Sequence, residues 1–184
     1  MFTMPETITY ALPEQIGDYG LFVGRKKEFD YFLGDWYYYL RNNMAQSQAI
    51  VARRKKGKTA FLQRLFNTLW SAPESGIIPF YYSIKDMDMT LAEFSKSFFA
   101  TFANHYISYA RRNPEYIQIP HTFESLEEVI EIAPELGRPY QSIQDSKKEG
   151  EWGLMWEVAS RAPFEISVSK GVKIVQIFDE FQNI

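Results

Sequence analysis

The 184 residues contain no cysteine. That excludes disulfides, thiolate zinc sites and a cysteine nucleophile together. Imidazole is nearly as scarce: His105 and His121 are the two histidines. Neither has a partner at metal-ligand spacing, so no zinc site is expected. No apolar run approaches the ~18 residues of a membrane span. Met1 to Gln15 lack a basic flank followed by an apolar core, so no secretory signal is expected there. Positive charge is not in excess either, with a formal net charge of -3 and a pI near 5.5. No global field therefore draws the chain to nucleic acid or an anionic membrane. Together these absences lead to the expectation of a cytoplasmic chain without a membrane partner.

What is present is burial material. Apolar residues make up 46% and aromatics 17%, enough for a folded chain with one sizeable core. Residues 1–24 read as a loop-like lead-in, punctuated by Pro5, Pro13, Gly17, Gly20 and Gly24. From Arg25 onward, Phe29, Phe32, Leu33, Trp36, Tyr37 and Leu40 recur at spacings of three and four, which is one apolar helix face. Gln48 to Ala52 is a short apolar run that suits a buried strand. Leu62, Leu65, Phe66 and Leu69 form a second helical stripe that ends near Pro73 and Gly76.

Ile77 to Ile84 is an aromatic and β-branched run that predicts another strand, with Asp86, Asp88 and Thr90 as turn and cap residues after it. A long helix fits Thr90 to about Arg112. Four prolines, at 114, 120, 134 and 139, make 113–150 the least regular part, expected as a surface insertion with a short acidic helix from Ser125 to Ile132. Glu151 to Ala162 reads as helix, and Val172 to Phe178 as a final strand ending at Asp179. Strands alternating with helices predict an α/β domain with a largely parallel sheet.

Two motifs carry chemistry. Ala52-Arg53-Arg54-Lys55-Lys56-Gly57-Lys58-Thr59 fits the phosphate-loop pattern G-x-x-x-x-G-K-[ST] except at its first position, where alanine replaces glycine. Such a loop turns backbone N–H groups inward, and the following helix start adds a positive dipole end for phosphate oxygens. Lys58 would reach the β and γ phosphates, and the Thr59 hydroxyl would be a magnesium ligand. The competing reading is a solvated basic turn. The second motif is the apolar run from Lys173 to Phe178 that ends in Asp179 and Glu180. Acids at a strand's C-terminal edge stand where open α/β sheets bind ligands. Asp179 would hold magnesium and Glu180 would act as general base on the attacking water. Alone, that run reads equally as a strand end with solvated acids.

Other clusters have plainer readings. Trp36 to Tyr39 would serve as a stacking platform for single-stranded nucleic acid or as core plus rim. Glu124, Glu127, Glu128 and Glu131 form an acidic face at helical spacing, either solvated or docking a partner.

With these residues the chain resembles the AAA+ and STAND branch of P-loop ATPases, most of all the archaeal-type ATPase family also found in bacteria. The matching pieces are Phe22 to Glu28, Ala52 to Thr59 and Phe178 to Gln182. The resemblance implies a three-layer αβα P-loop fold spanning 1–184 as a single ATPase domain, with ATP and Mg2+ as ligands and hydrolase activity that drives a conformational switch. It makes Val23, Gly24 and Arg25 adenine-side contacts and extends the nucleotide-binding stretch through Ala60. Arg54 and Lys55 match the family's basic pair, while Ala52 and Arg53 depart from its first two loop positions.

The family continues past the acidic pair with a sensor strand, another strand and a helical lid. The sensor strand lies between the phosphate-loop strand and the Asp179 strand. The expectation is therefore a domain truncated after the Asp179 strand, completed by the protein's own C-terminal region or by a partner segment. No arginine finger is assigned. A homo-oligomer and a nucleic-acid contact stay open, as does a regulatory or scaffold domain that binds ATP without turning it over.

Overall fold

Residues 2–16, 24–51, 53, 56–84 and 88–181 are described by a computed structural model. Helix α1 (Lys26–Tyr31) runs through a π-helical turn (Phe32–Trp36) into α2 (Tyr37–Arg41). The widened turn holds Gly34, a residue that weakens regular helix. Helix α3 spans Lys58–Trp70, strand β1 Ile77–Ser83 and helix α4 Leu91–Arg111. Thr90 caps α4 in a full capping box: its side chain accepts from the Glu93 N–H, and the Glu93 side chain accepts from the Thr90 N–H. Three helices follow, α5 (Glu115–Gln118), α6 (Glu127–Ile132) and α7 (Gly137–Glu149). Helix α8 (Trp152–Lys170) then leads into β2 (Lys173–Asp179).

The observed class is mixed α/β, mostly helical, with a two-stranded sheet. β1 and β2 pair in parallel, Ile77 opposite Lys173 and Ser83 opposite Asp179. Lys173 N–H donates to the Gly76 carbonyl and Ile84 N–H to the Asp179 carbonyl. In a parallel ladder the bonding residues alternate, so even-numbered residues of β1 and odd-numbered residues of β2 face each other.

Helices cover both faces. On one, Ile78, Phe80 and Tyr82 of β1 pack with α4, α7 and α8 through Phe98, Phe102, Ile143, Met155 and Ala159. On the other, Ile77, Tyr81, Val175 and Ile177 pack with Phe61, Leu65 and Leu69 of α3. Each fully buried Phe or Leu contributes roughly 1.5–3 kcal/mol of transfer free energy.

Two expectations change. Gln48 to Val51 is not a strand: the segment makes no ladder, and Val51 is 92% exposed. Ala52 lies outside the described residues. An extended segment becomes a strand only when a neighbour takes its N–H and C=O groups, and none among the described residues does so here. Residues 113–150 are not irregular surface. They build α5 to α7 and place Leu126, Val129, Leu136 and Ile143, all fully buried, in the same core as β1. The lead-in carries no helix or strand over 2–16, in keeping with a loop-like segment, and it is tied down onto α3. The Arg64 guanidinium forks onto the buried Glu14 carboxylate at 2.8 and 2.9 Å, and Leu12 and Gln15 N–H donate to Asn67 and Gln63 of α3. Among the described residues no helix is long and apolar enough to cross a membrane.

Candidate functional site

Two of the three pieces singled out in the sequence are tied together at the start of α3. Gly57 stands in the left-handed region at φ 73°, a conformation glycine adopts without Cβ strain, and opens the helix without a side-chain cap. The first helical bond runs from Phe61 N–H to the Gly57 carbonyl at 3.0 Å. The N–H groups of Lys58, Thr59 and Ala60 therefore have no acceptor among the described residues, as the opening of any uncapped helix requires. Arg25, itself left-handed at φ 56°, reaches this place from the start of α1. Its guanidinium donates to the Lys56 carbonyl at 2.5 Å and to Glu28 at 2.7 Å. The Arg25 hydrogen bond holds the Glu28 carboxyl below its usual range. Arg25 thus meets Lys56 just ahead of Gly57. Val23, Ala52, Arg54 and Lys55 lie outside the described residues, and Arg53 is exposed with no partner that bears on the site.

The acidic pair forms the second half. Asp179 closes β2 at 5% exposure. Its Oδ2 accepts from the Tyr81 hydroxyl at 2.9 Å and its Oδ1 from the Glu180 N–H at 2.9 Å. No cation pairs with it among the described residues. Glu180 is exposed and left-handed at φ 57°, a conformation costing a non-glycine residue about 1–2 kcal/mol. Burial, then the negative charge of Asp179, pushes the Tyr81 hydroxyl well above the usual phenol range, so it stays a proton donor.

Among the described residues neither Lys58 nor Thr59 bonds directly to Asp179 or Glu180. The two halves meet through α3. α3 packs on the sheet face that carries Tyr81, whose hydroxyl donates to Asp179. Thr59 and Gln63 are four residues apart on one helix and share a face, one turn of about 5.4 Å apart. Thr59 thus stands at the start of the helix that packs on the sheet face carrying Tyr81 and Asp179.

This donor set fits a magnesium nucleotide. No cluster of three or more His, Asp or Glu side chains capable of holding a metal occurs among the described residues, so a protein-only cage is not what is on offer. Mg2+ instead takes one or two protein oxygens and completes its shell with phosphates and water. The Thr59 hydroxyl has no hydrogen bond among the described residues, and each Asp179 oxygen accepts only one.

Sequence reasoning missed Tyr81 and the buried His105. Tyr81 was visible only as one aromatic in a strand run; its partnership with Asp179 depends on a strand register that no local pattern carries. His105 is fully enclosed, and burial pushes its imidazole down to about 3. Its Nδ1 accepts from the Tyr81 N–H at 3.2 Å, so the neutral ring serves the sheet rather than a metal. The acidic face is partly spent on structure, since Glu124 pairs with Lys96 at 2.6 Å. Of the aromatic run, Tyr37 is buried while Tyr38 and Tyr39 are exposed, which is core plus rim.

Comparison with known proteins finds no matching protein family, no matching curated protein and no matching solved structure.

Proposed function

We propose that this chain is an ATP- and Mg2+-binding P-loop module, in which ATP hydrolysis drives a conformational switch in a larger assembly. One observation supports the reading: the buried Asp179 carboxylate has no cationic partner among the described residues, and it lies on the sheet face covered by α3, whose open, uncapped start carries Thr59. A buried carboxylate without a cation is costly, and a bound cation between it and the phosphates relieves that cost.

In this reading the N–H groups of Lys58, Thr59 and Ala60 bind phosphate oxygens, and the Lys58 ammonium pairs with the β and γ phosphates. Arg25 holds the loop through Lys56, and Gly24 and Arg25 face the adenine side. Thr59 and Asp179 hold the Mg2+, which when bound neutralises phosphate charge. Glu180 takes the proton of the attacking water. The fold is then the P-loop αβα type, with one further strand from elsewhere in the protein or from a partner pairing to β2 and giving 48–51 a neighbour.

A second reading, a nucleotide-binding regulatory domain without turnover, is favoured by the unpaired 44–51 segment. A phosphate loop that is not anchored by a laddered strand holds its N–H groups less firmly.

The first experiment is thermal melting with ATP and MgCl2. A ligand that binds only the native state at a hundredfold excess over its Kd stabilises by about 2.7 kcal/mol, so the melting temperature rises by several degrees, and Lys58→Ala removes the rise. No shift in the wild-type protein sinks both readings. Where binding occurs, Glu180→Gln abolishes phosphate release under the hydrolase reading and leaves an already absent turnover unchanged under the other.

A further inference from the structure

The bond from Tyr81 to Asp179 spans the sheet diagonally. Tyr81 lies opposite Ile177 in the register, and Asp179 lies opposite Ser83, two residues further along. Side chains two apart on a strand share a face, so Tyr81, Ser83, Ile177 and Asp179 all stand on the α3 side of the sheet. The tyrosine is long enough to bring its hydroxyl to Asp179 Oδ2 at 2.9 Å from one position back. The Glu180 N–H takes Oδ1 at the same distance. One donor on each oxygen fixes the carboxylate plane and leaves one accepting position per oxygen on the remaining side. Neither donor is a cation, so the charge itself stays uncompensated.

We propose that Tyr81 is a positioning residue that aims Asp179 at the cation accompanying a bound nucleoside triphosphate. The inference rests on the nucleotide reading above and adds a residue that the sequence motifs do not contain. The Tyr81 ring is buried between the sheet and α3, so it has little freedom to follow a rotating carboxylate. It therefore sets the orientation that Asp179 holds before the ligand arrives. Preorganisation of this sort raises affinity by removing an ordering cost at the moment of binding.

The test is the magnesium-linked part of ATP affinity, read as the ratio of ATP Kd in EDTA to ATP Kd in MgCl2. Tyr81→Phe keeps the ring and removes the donor. Its ATP affinity in EDTA is expected to match wild type, while the magnesium ratio falls about tenfold, the worth of one hydrogen bond to a charged group. A purely structural tyrosine would lower the melting temperature and leave the ratio unchanged. Tyr81→His, which retains a ring donor at shorter reach, provides a second handle if the phenylalanine variant does not fold, and its ratio is expected to fall as well. A wild-type ratio in whichever variant folds overturns the positioning role. Absence of ATP binding by the wild-type protein in both buffers overturns the nucleotide reading instead, so the two failures are separable.

Discussion

The two edges of the small sheet are finished differently. On the β1 edge the outward groups belong to odd-numbered residues, and three of the four positions leave no donor open, the Ser83 N–H being without an acceptor among the described residues. Ile77 N–H donates to the Ser75 Oγ at 3.2 Å, Pro79 has no N–H, and Tyr81 N–H donates to His105. Proline at an outward position is the placement an edge strand tolerates. On the β2 edge the outward groups of Ile174, Gln176 and Phe178 have no backbone partner among the described residues. The 44–51 segment makes no ladder, and Asn43 just before it meets Lys173 of β2 through its Oδ1. One edge is largely closed and the other presents its outward groups unladdered among the described residues. An unprotected row of N–H and C=O groups between helices on both faces is a template for pairing.

The sharpest way to break this contrast is a proline placed in turn at neighbouring positions of β2. Ile177 faces β1, so Ile177→Pro removes a ladder bond and is expected to cost about 3 kcal/mol or more and to abolish cooperative melting. Gln176 faces outward, so Gln176→Pro is expected to cost well under half of that. Equal losses by denaturant titration would mean that Gln176 is already paired.

The β1 edge has a pH signature of intermediate size. His105 is neutral when folded, with its value held near 3 against 6.5 when unfolded. The unfolded chain therefore binds more protons between those values. Stability is full above pH 6.5 and is lost as pH falls, by at most about 1.4 kcal/mol per pH unit. The carboxyls held low, such as Glu28 and Glu93, act in the same direction but below their ordinary 4.5. The slope between pH 6.5 and 4.5 accordingly reports His105. His105→Gln is expected to flatten that slope while costing roughly 1–3 kcal/mol at pH 7 through the imperfectly answered Tyr81 N–H. An unchanged slope would show that His105 is not the group involved.

The smallest expected effect concerns association. Gln176→Lys adds an outward charge to the open edge and is expected to leave the unfolding free energy within about 0.5 kcal/mol of wild type. If bare β2 edges pair with one another, sedimentation of the wild-type protein shows concentration-dependent association that the lysine suppresses. A wild-type chain that stays monomeric at high concentration would remove self-pairing from the roles of that edge.

Much of the local structure was legible. The spacing of Leu62, Leu65, Phe66 and Leu69 announced α3, and Thr90 announced the start of α4, where it does cap. The runs at 77–84 and 172–178 became the two strands. The run at 48–52 failed over its described part, 48–51, because four apolar residues in a row, Ala49 to Ala52, satisfy a strand pattern without supplying a neighbour. Residues 113–150 were misread because prolines break regularity without forbidding burial. Pro134 opens a helical turn and Pro139 sits near the start of α7, where a missing N–H is harmless.

Of the candidate site, the sequence alone determined the pieces whose geometry is local. Gly57 before an amphipathic helix makes an uncapped N-terminus, and an apolar run ending in Asp179 makes a strand end, because both depend on neighbours within a few residues. Only the tertiary structure decided what those pieces meet. The Arg25 bond to Lys56 crosses 31 positions, and the Tyr81 bond to Asp179 crosses 98. Such contacts follow from strand register and from the seating of α1 and α3, which many distributed burial energies set together and no short motif encodes.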